Sequence, residues 1–313
     1  MAVAEPQTRL AASPAAAGAT FRPPPAQVHL FLPRRSGIVN SFREAWRFRR
    51  FSSFFGVKFV EKRYAQTWLG MFWVPLRPGI SLGTRIFVYG GLIGIAANGV
   101  PYALAFLVGT AAWQLFYEGV LWSVRSIQVN RKTVRGIYMP RSLMVLSAVI
   151  PACVDFLVNF SFVVLALVYY VFRVHHLYLQ IGVRTLLAPA GLVLMLLMGL
   201  GVGITLAGVG ARGRDLQFSL PFVLNFLYFL TPVIYPLTQF PAKYRPFAEL
   251  NPMTGAVEMV RDGLFHTHTV SPDAALVSVI AVLFLWGPLH WYADRREVRL
   301  LTGPQPATPG SAR

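Results

Sequence analysis

Three ionisable residues, Arg85, Glu118 and Asp155, stand inside otherwise apolar stretches. A charge at mid-membrane costs ~2.5–3.5 kcal/mol on insertion scales, so each needs a partner, water or a task. Glu118 is expected near the end of its stretch, within reach of water or a basic neighbour, and Asp155 deeper. A carboxylate at depth can relay protons, but one or two acids favour structural pairing. Other chemistry is sparse. His175 and His176 are adjacent and cannot share a metal on one helix face. His266 and His268 lack a third ligand at convincing spacing. Glu258 and Asp262 fall one helical turn apart with Arg261 between them, a pattern more often found on a solvated face. No Gly-x-x-x-x-Gly-Lys-Ser/Thr occurs, so the chain is not expected to hydrolyse ATP alone. A single cysteine, Cys153, excludes a disulfide framework and a Cys-based zinc site.

These residues sit in a membrane-type sequence. Of 313 residues, 55% are hydrophobic and 13% charged, about half the charged share of a soluble domain. The net charge of +17 lies between apolar runs, which is how membrane proteins place it and not how a nucleic-acid binder does. Six stretches satisfy the length of a spanning helix: 78–97, 102–123, 142–172, 185–211, 216–238 and 274–293. Asn98-Gly99 with Pro101 makes the first two a tight hairpin. Basic residues concentrate on one side. Residues 1–70, the 123–141 loop, Arg212 and Arg214, and the C-terminal arginines fall together; Arg173, Arg184, Lys243, Arg245 and Arg261 fall opposite. The positive-inside rule then makes both termini cytoplasmic. Arg77 is placed at the cytoplasmic boundary of the first span.

Residues 1–39 are rich in Ala and Pro and read as a disordered tail, as do 301–313. Ser41 and Glu44 fit a capping box that opens a basic, aromatic segment over 40–70, expected to lie as a helix in the membrane surface. The remainder, 71–300, reads as the six-helix transmembrane domain. Between spans five and six, two short apolar stretches flank Asn251-Pro252; they either re-enter the membrane as a lid or pack on the spans. Aromatics are abundant. Trp73, Phe87, Trp113, Phe116, Tyr117, Phe222, Phe226 and Phe229 pack against lipid or line a passage, since ring faces suit the C–H faces of sugars.

Several motifs add a resemblance. Lys62-Arg63-Tyr64, Leu69-Gly70-Met71-Phe72-Trp73 and Leu76-Arg77-Pro78 resemble the approach to span one in type-2 ABC exporter permeases for polysaccharides (O-antigen, teichoic acid, capsule). Pro140-Arg141, Arg214-Asp215, Leu230-Thr231-Pro232-Val233-Ile234-Tyr235-Pro236, Tyr244-Arg245 and Leu250-Asn251-Pro252-Met253-Thr254-Gly255 with Arg261 are similar to later landmarks of that family. The resemblance covers about 58–300. It implies an all-α polytopic fold with six transmembrane helices, an N-terminal interfacial helix and short re-entrant outer gate helices. It also implies a homodimer joined to two copies of a separate ATPase, which would carry the ATP and Mg; this chain would hold no cofactor. The substrate would be a lipid-linked glycan crossing the bacterial inner membrane. Arg125, Asn130, Arg131, Lys132, Arg135 and Arg141 would dock on the ATPase. Asn251, Pro252, Glu258, Arg261 and Asp262 would belong to the outer gate. Arg85 would face the channel and meet phosphate or acidic sugar, or pair with Glu118 or Asp155. Three rivals stay open: a type-2 ABC permease for a drug or simple lipid, an ion-coupled secondary transporter, and a polytopic membrane enzyme.

Overall fold

Apolar runs punctuated by Gly, Asn and Pro fold as helices that stop near the punctuation. The computed structural model describes residues 49–64, 72–95, 97–129, 146–210 and 215–289, and within them all regular structure is helical. α1 spans Arg49–Tyr64, and α2 spans Trp73–Arg85 before running on through a π-helical stretch, Ile86–Leu92. α3 (Tyr102–Val129), α4 (Val149–Val174), α5 (Leu187–Gly210) and α6 (Asp215–Leu230) follow. Two shorter helices, α7 (Arg245–Glu249) and α8 (Pro252–Phe265), precede α9 (Pro272–Phe284), which ends in a second π-helical turn, Leu285–Leu289.

Among the described residues three segments are long and apolar enough to cross a membrane: Tyr102–Ser126, Val149–Val174 and Val183–Leu206. Phe218–Leu230 and Pro272–Gly287 are apolar but shorter. Several boundaries differ from those expected from the sequence: the helix expected over 78–97 starts at Trp73 and its π-helical continuation ends at Leu92, and α4 begins at Val149, not 142. The helix expected over 102–123 continues to Val129, so residues 123–129 of the expected loop are helical. Ser123 and Ser126 fit there because their hydroxyls bond the helix's own carbonyls, Gly119 at 2.6 Å and Ser123 at 2.8 Å. The helix expected over 216–238 stops at Leu230. Pro232 has no amide hydrogen and disfavours helical geometry in the residue before it. The hairpin turn falls where expected, with Asn98 at φ 50° and Gly99 at φ 79°.

α3 is the centre of the bundle: 89% of its apolar window is buried, against 28% for α4 at the periphery. It packs against α4, α5, α6 and α8. α8 lies against α5, α9 and α3. Such contacts need small residues, because lipid gives helices little hydrophobic reason to associate. Gly263 of α8 rests on the backbone of Ala188, Gly255 rests on the Ala274 carbonyl, and Gly199 of α5 rests on the Phe116 carbonyl. A side chain at any of the three would overlap that backbone. α8 is accordingly packed among the spans, with every residue from Met253 to Gly263 buried.

α1 buries Ser52, Gly56 and Phe59 and exposes Phe54 and Val57. Phe59 stacks on Trp122 of α3 with ring centroids 5.6 Å apart, and Gly56 backs onto Ile150 of α4. The helix expected within 40–70 is thus present over 49–64; the Ser41–Glu44 box and both tails lie outside the described residues.

Candidate functional site

The beginning of α8 is built by the Asn-Pro pair. Asn251 is the N-cap, its side-chain oxygen accepting from the Met253 amide at 3.1 Å. Pro252 takes the first helical position, where a missing N–H is harmless. The Asn251 amide group donates to Thr231 Oγ1 at 2.9 Å, and Thr254 Oγ1 donates to the Ala248 carbonyl at 2.6 Å. The cap thereby fastens α8 to the end of α6, and Thr254 fastens it to α7.

Two turns on, Glu258, Arg261 and Asp262 are 1%, 3% and 0% exposed. This corrects the expectation of a solvated face. Arg261 Nε donates to the Ala105 carbonyl at 3.0 Å, and Nη1 donates to the Pro232 carbonyl at 2.7 Å and to Glu258 Oε1 at 2.9 Å. Nη2 donates to the Val233 carbonyl. Pro232 and Val233 lie just past the end of α6, where a broken helix leaves carbonyls without intrahelical donors. Glu258 also accepts from the Leu237 amide at 3.2 Å and from Thr269 Oγ1 at 2.7 Å. Asp262 accepts from Arg184 Nη1 at 2.9 Å and from the His268 amide. A buried ion pair survives only with good geometry and satisfied remaining donors and acceptors, which these contacts supply. Gly109 makes the room: a Cβ there would meet the Arg261 guanidinium. The network ties α3, the turn after α6, α8 and the segments holding Arg184 and Thr269 into one unit.

The aromatic set divides in two. Trp113 (3% exposed) and Phe116 (0%) are core residues, their rings 5.1 Å apart and Trp113 edge-on to Tyr228 at 5.7 Å. The enclosure of α3 puts both inside the protomer, away from any surface a passing molecule would touch. Tyr117 is half-buried. Trp73 and Phe87 of the α2 segment, and Phe222, Phe226 and Phe229 of α6, are exposed. The α6 spacings of four and three place those rings on one face.

Arg77 is exposed and Arg85 half-buried. The Arg85 guanidinium lies over the Tyr228 ring, 5.0 Å from its centroid, and the Tyr228 hydroxyl is 3.1 Å from Thr110 Oγ1. Among the described residues no ion pair reaches Arg85, so of its two expected alternatives the pairing with Glu118 or Asp155 does not form. Glu118 is buried and accepts from Gln114 Nε2 at 3.1 Å. α3 runs on for about 16 Å beyond it to Val129. Asp155, expected deeper, is buried in the second turn of α4. Arg125 is exposed on α3, 5.5 Å over the Trp122 ring. Asn130, Arg131, Lys132, Arg135 and Arg141 lie outside the described residues.

A helical membrane bundle with exposed aromatic faces and a buried clamp among its helices now has relatives to be set beside. A family model described as ABC-2 type transporter matches residues 37–265. The chain belongs to the ABC-2 type transporter family, the transmembrane component of such transporters and not the ATPase. It is similar to the O-antigen export system permease protein RfbA of Myxococcus xanthus, 23% identical over 266 residues, covering 83% of this chain and 98% of that protein. It is similar to the polysialic acid transport protein KpsM of Escherichia coli, 21% identical over 245 residues, covering 77% and 92%. RfbA of Klebsiella pneumoniae is 22% identical over 236 residues, covering 74% and 83%.

Proposed function

We propose that this chain is the membrane subunit of an ATP-driven exporter that moves a lipid-linked polysaccharide out of the cytoplasm across the bacterial inner membrane. The observation that carries the reading is the near end-to-end match to relatives named as O-antigen and polysialic acid permeases. In this reading two copies join two ATPase subunits, which bind ATP and Mg. Six spans cross the membrane with both termini cytoplasmic. The interfacial segment is 40–70, and the permease domain is 71–300.

The geometry supports particular roles within that reading. Trp73, Phe87, Phe222, Phe226 and Phe229 form the exposed aromatic wall of a passage shared by two copies; Trp113 and Phe116 support it from behind. Aromatic faces contact sugar C–H faces without fixing them by hydrogen bonds, so a long chain can slide. Arg125, Asn130, Arg131, Lys132, Arg135 and Arg141 receive the motion of the ATPases. The Arg125–Trp122–Phe59 stack carries it to α1. Asn251, Pro252, Glu258, Arg261 and Asp262 hold α7 and α8 at the outer end, where the clamp makes them move as a unit.

Deleting the gene tests the reading. Surface polysaccharide should disappear while lipid-linked glycan accumulates inside, and the wild-type gene should restore export. Unchanged surface glycan with altered sensitivity to a toxic small molecule would instead make the chain a drug permease of the same family.

A further inference from the structure

The tip between α2 and α3 is held to the bundle at few points. The π-helical end of α2 stops at Leu92, and the described residues between Ile93 and Val100 form no regular helix. Their backbone bonds close locally: the Ile93 amide donates to the Val88 carbonyl, Ile95 to Tyr89, and Val100 to Ala97. Leu92 and Ile93 are exposed. Among the described residues, one hydrogen bond carries this tip to another part of the bundle. Thr238 Oγ1 donates to Asn98 Oδ1 at 3.0 Å.

Thr238 is the middle residue of a short 3₁₀ turn, Leu237–Gln239, which is tied on two further sides. Leu237 is 3% exposed and donates its amide to Glu258 of the clamp. The Thr238 carbonyl accepts from Arg245 Nη2 of α7 at 3.3 Å. These ties differ in strength. The clamp is a buried ion pair with its remaining groups satisfied. The Asn98–Thr238 bond joins neutral groups at an exposed position, where water replaces either partner at little net cost. Arg245 is only half spent. It is half-buried, its Nε is buried without an acceptor, and its bond to Thr238 is long. Glu249, four residues on in α7, is half-buried, and among the described residues no ion pair reaches it. Side chains four apart on a helix are neighbours. Arg245 therefore has one acceptor in use, the Thr238 carbonyl, and a stronger one beside it that is idle.

We propose that the Leu237–Gln239 turn is a latch. It is closed while Thr238 holds Asn98 and Arg245 holds the Thr238 carbonyl. It is open when Arg245 turns to Glu249 and the α2–α3 tip swings free. This rests on the exporter reading, in which this end of the bundle is the outer one, and adds the contact that breaks when the substrate leaves. The clamp does not break with it. Arg261 binds the Ala105 carbonyl inside α3, seven residues beyond Asn98, so α3 stays with α8 while the tip before it moves. A two-state side chain of this kind, biased at one end of a transporter, is a physical switch and not a mere path of contacts.

The test uses the full chain with its ATPase in proteoliposomes. Cys153→Ser removes the native thiol, and Asn98→Cys with Thr238→Cys places one thiol on each side of the latch. A short bifunctional methanethiosulfonate joins them, and a reductant parts them again. Cross-linking should lower glycan transport at least tenfold, leave ATP hydrolysis within twofold, and be reversed by the reductant. The same reagent should not alter transport by either single-cysteine chain. Transport at an unchanged rate by the cross-linked chain overturns the proposal. So does failure to cross-link when a monofunctional reagent labels both thiols. If the double variant transports poorly before treatment, the rate of cross-linking decides instead. It should fall at least threefold when ATP is bound to a complex whose ATPase carboxylate is replaced, and an equal rate with and without ATP overturns the latch. Glu249→Gln tests the switch itself. It should slow transport at least threefold, and Thr238→Val, which cannot hold Asn98, should relieve that loss; a loss that persists in the double variant removes Arg245 and Glu249 from the latch. A parent chain whose transport ignores ATP defeats the exporter reading, and a reversible block of that transport by the cross-link would leave the latch standing.

Discussion

Replacing Arg261 by methionine would leave Glu258 charged at 1% exposure and strand the carbonyls of Pro232 and Val233. Breaking a buried pair from one side costs ~3–5 kcal/mol, so Arg261→Met should lower the unfolding temperature of the purified protein sharply or prevent its accumulation. Arg261→Lys should be only a partial rescue, because a point charge cannot span acceptors on three elements. Gly109→Ala crowds the same guanidinium and should cost ~1–3 kcal/mol. Its effect should shrink in the Arg261→Met background, which a double-mutant cycle of thermal unfolding would reveal. Arg184→Ala should cost less than Arg261→Met in the same unfolding measurement, because Arg184 is 46% exposed and Asp262, although 0% exposed, keeps the His268 amide. These residues were visible in the sequence, but their roles were not. Charges at 258, 261 and 262 suggest a wet face by spacing alone. Burial becomes tolerable for Arg261 because the backbone carbonyls of Ala105, Pro232 and Val233 accept from it, and no residue type announces such acceptors.

Helix ends were more legible than helix surroundings. Asn98-Gly99 requires left-handed backbone and forms the turn; Asn251-Pro252 caps and starts α8. Residues 124–129 still carry Val, Ile and buried Ser, so α3 outlasts the apolar run used to delimit it. The enclosure of α8 depends on Gly255 and Gly263 meeting particular backbones, which needs the tertiary arrangement. Two outcomes belong at this scale. Asn251→Ala should destabilise by ~1 kcal/mol through loss of the cap, with a further loss from the broken Thr231 bond, read as a lower unfolding temperature. Phe59→Ala removes the ring that stacks on Trp122. Reconstituted complexes of that variant should hydrolyse ATP at near wild-type rates while export falls several-fold; parallel losses of both would place α1 outside the coupling path.

Across the whole molecule, apolar surface remains on α4, α6 and α9, which display Phe172, Phe222 and Phe284 among their exposed residues. Lipid can cover α4 and α9, while the proposed two-copy assembly would cover the aromatic face of α6 formed by Phe222, Phe226 and Phe229. Membership of the ABC-2 family makes this chain the transmembrane component, and the proposed reading puts the energy source on an ATPase partner. The central claim is that this chain exports a lipid-linked polysaccharide at the expense of ATP. The most direct measurement reconstitutes it with its ATPase in inside-out proteoliposomes and follows movement of a labelled lipid-linked glycan into the lumen. The account predicts accumulation that needs ATP and Mg, survives a protonophore, and is lost when the ATPase's catalytic carboxylate is replaced. Accumulation that proceeds without ATP and collapses with the proton gradient would contradict it.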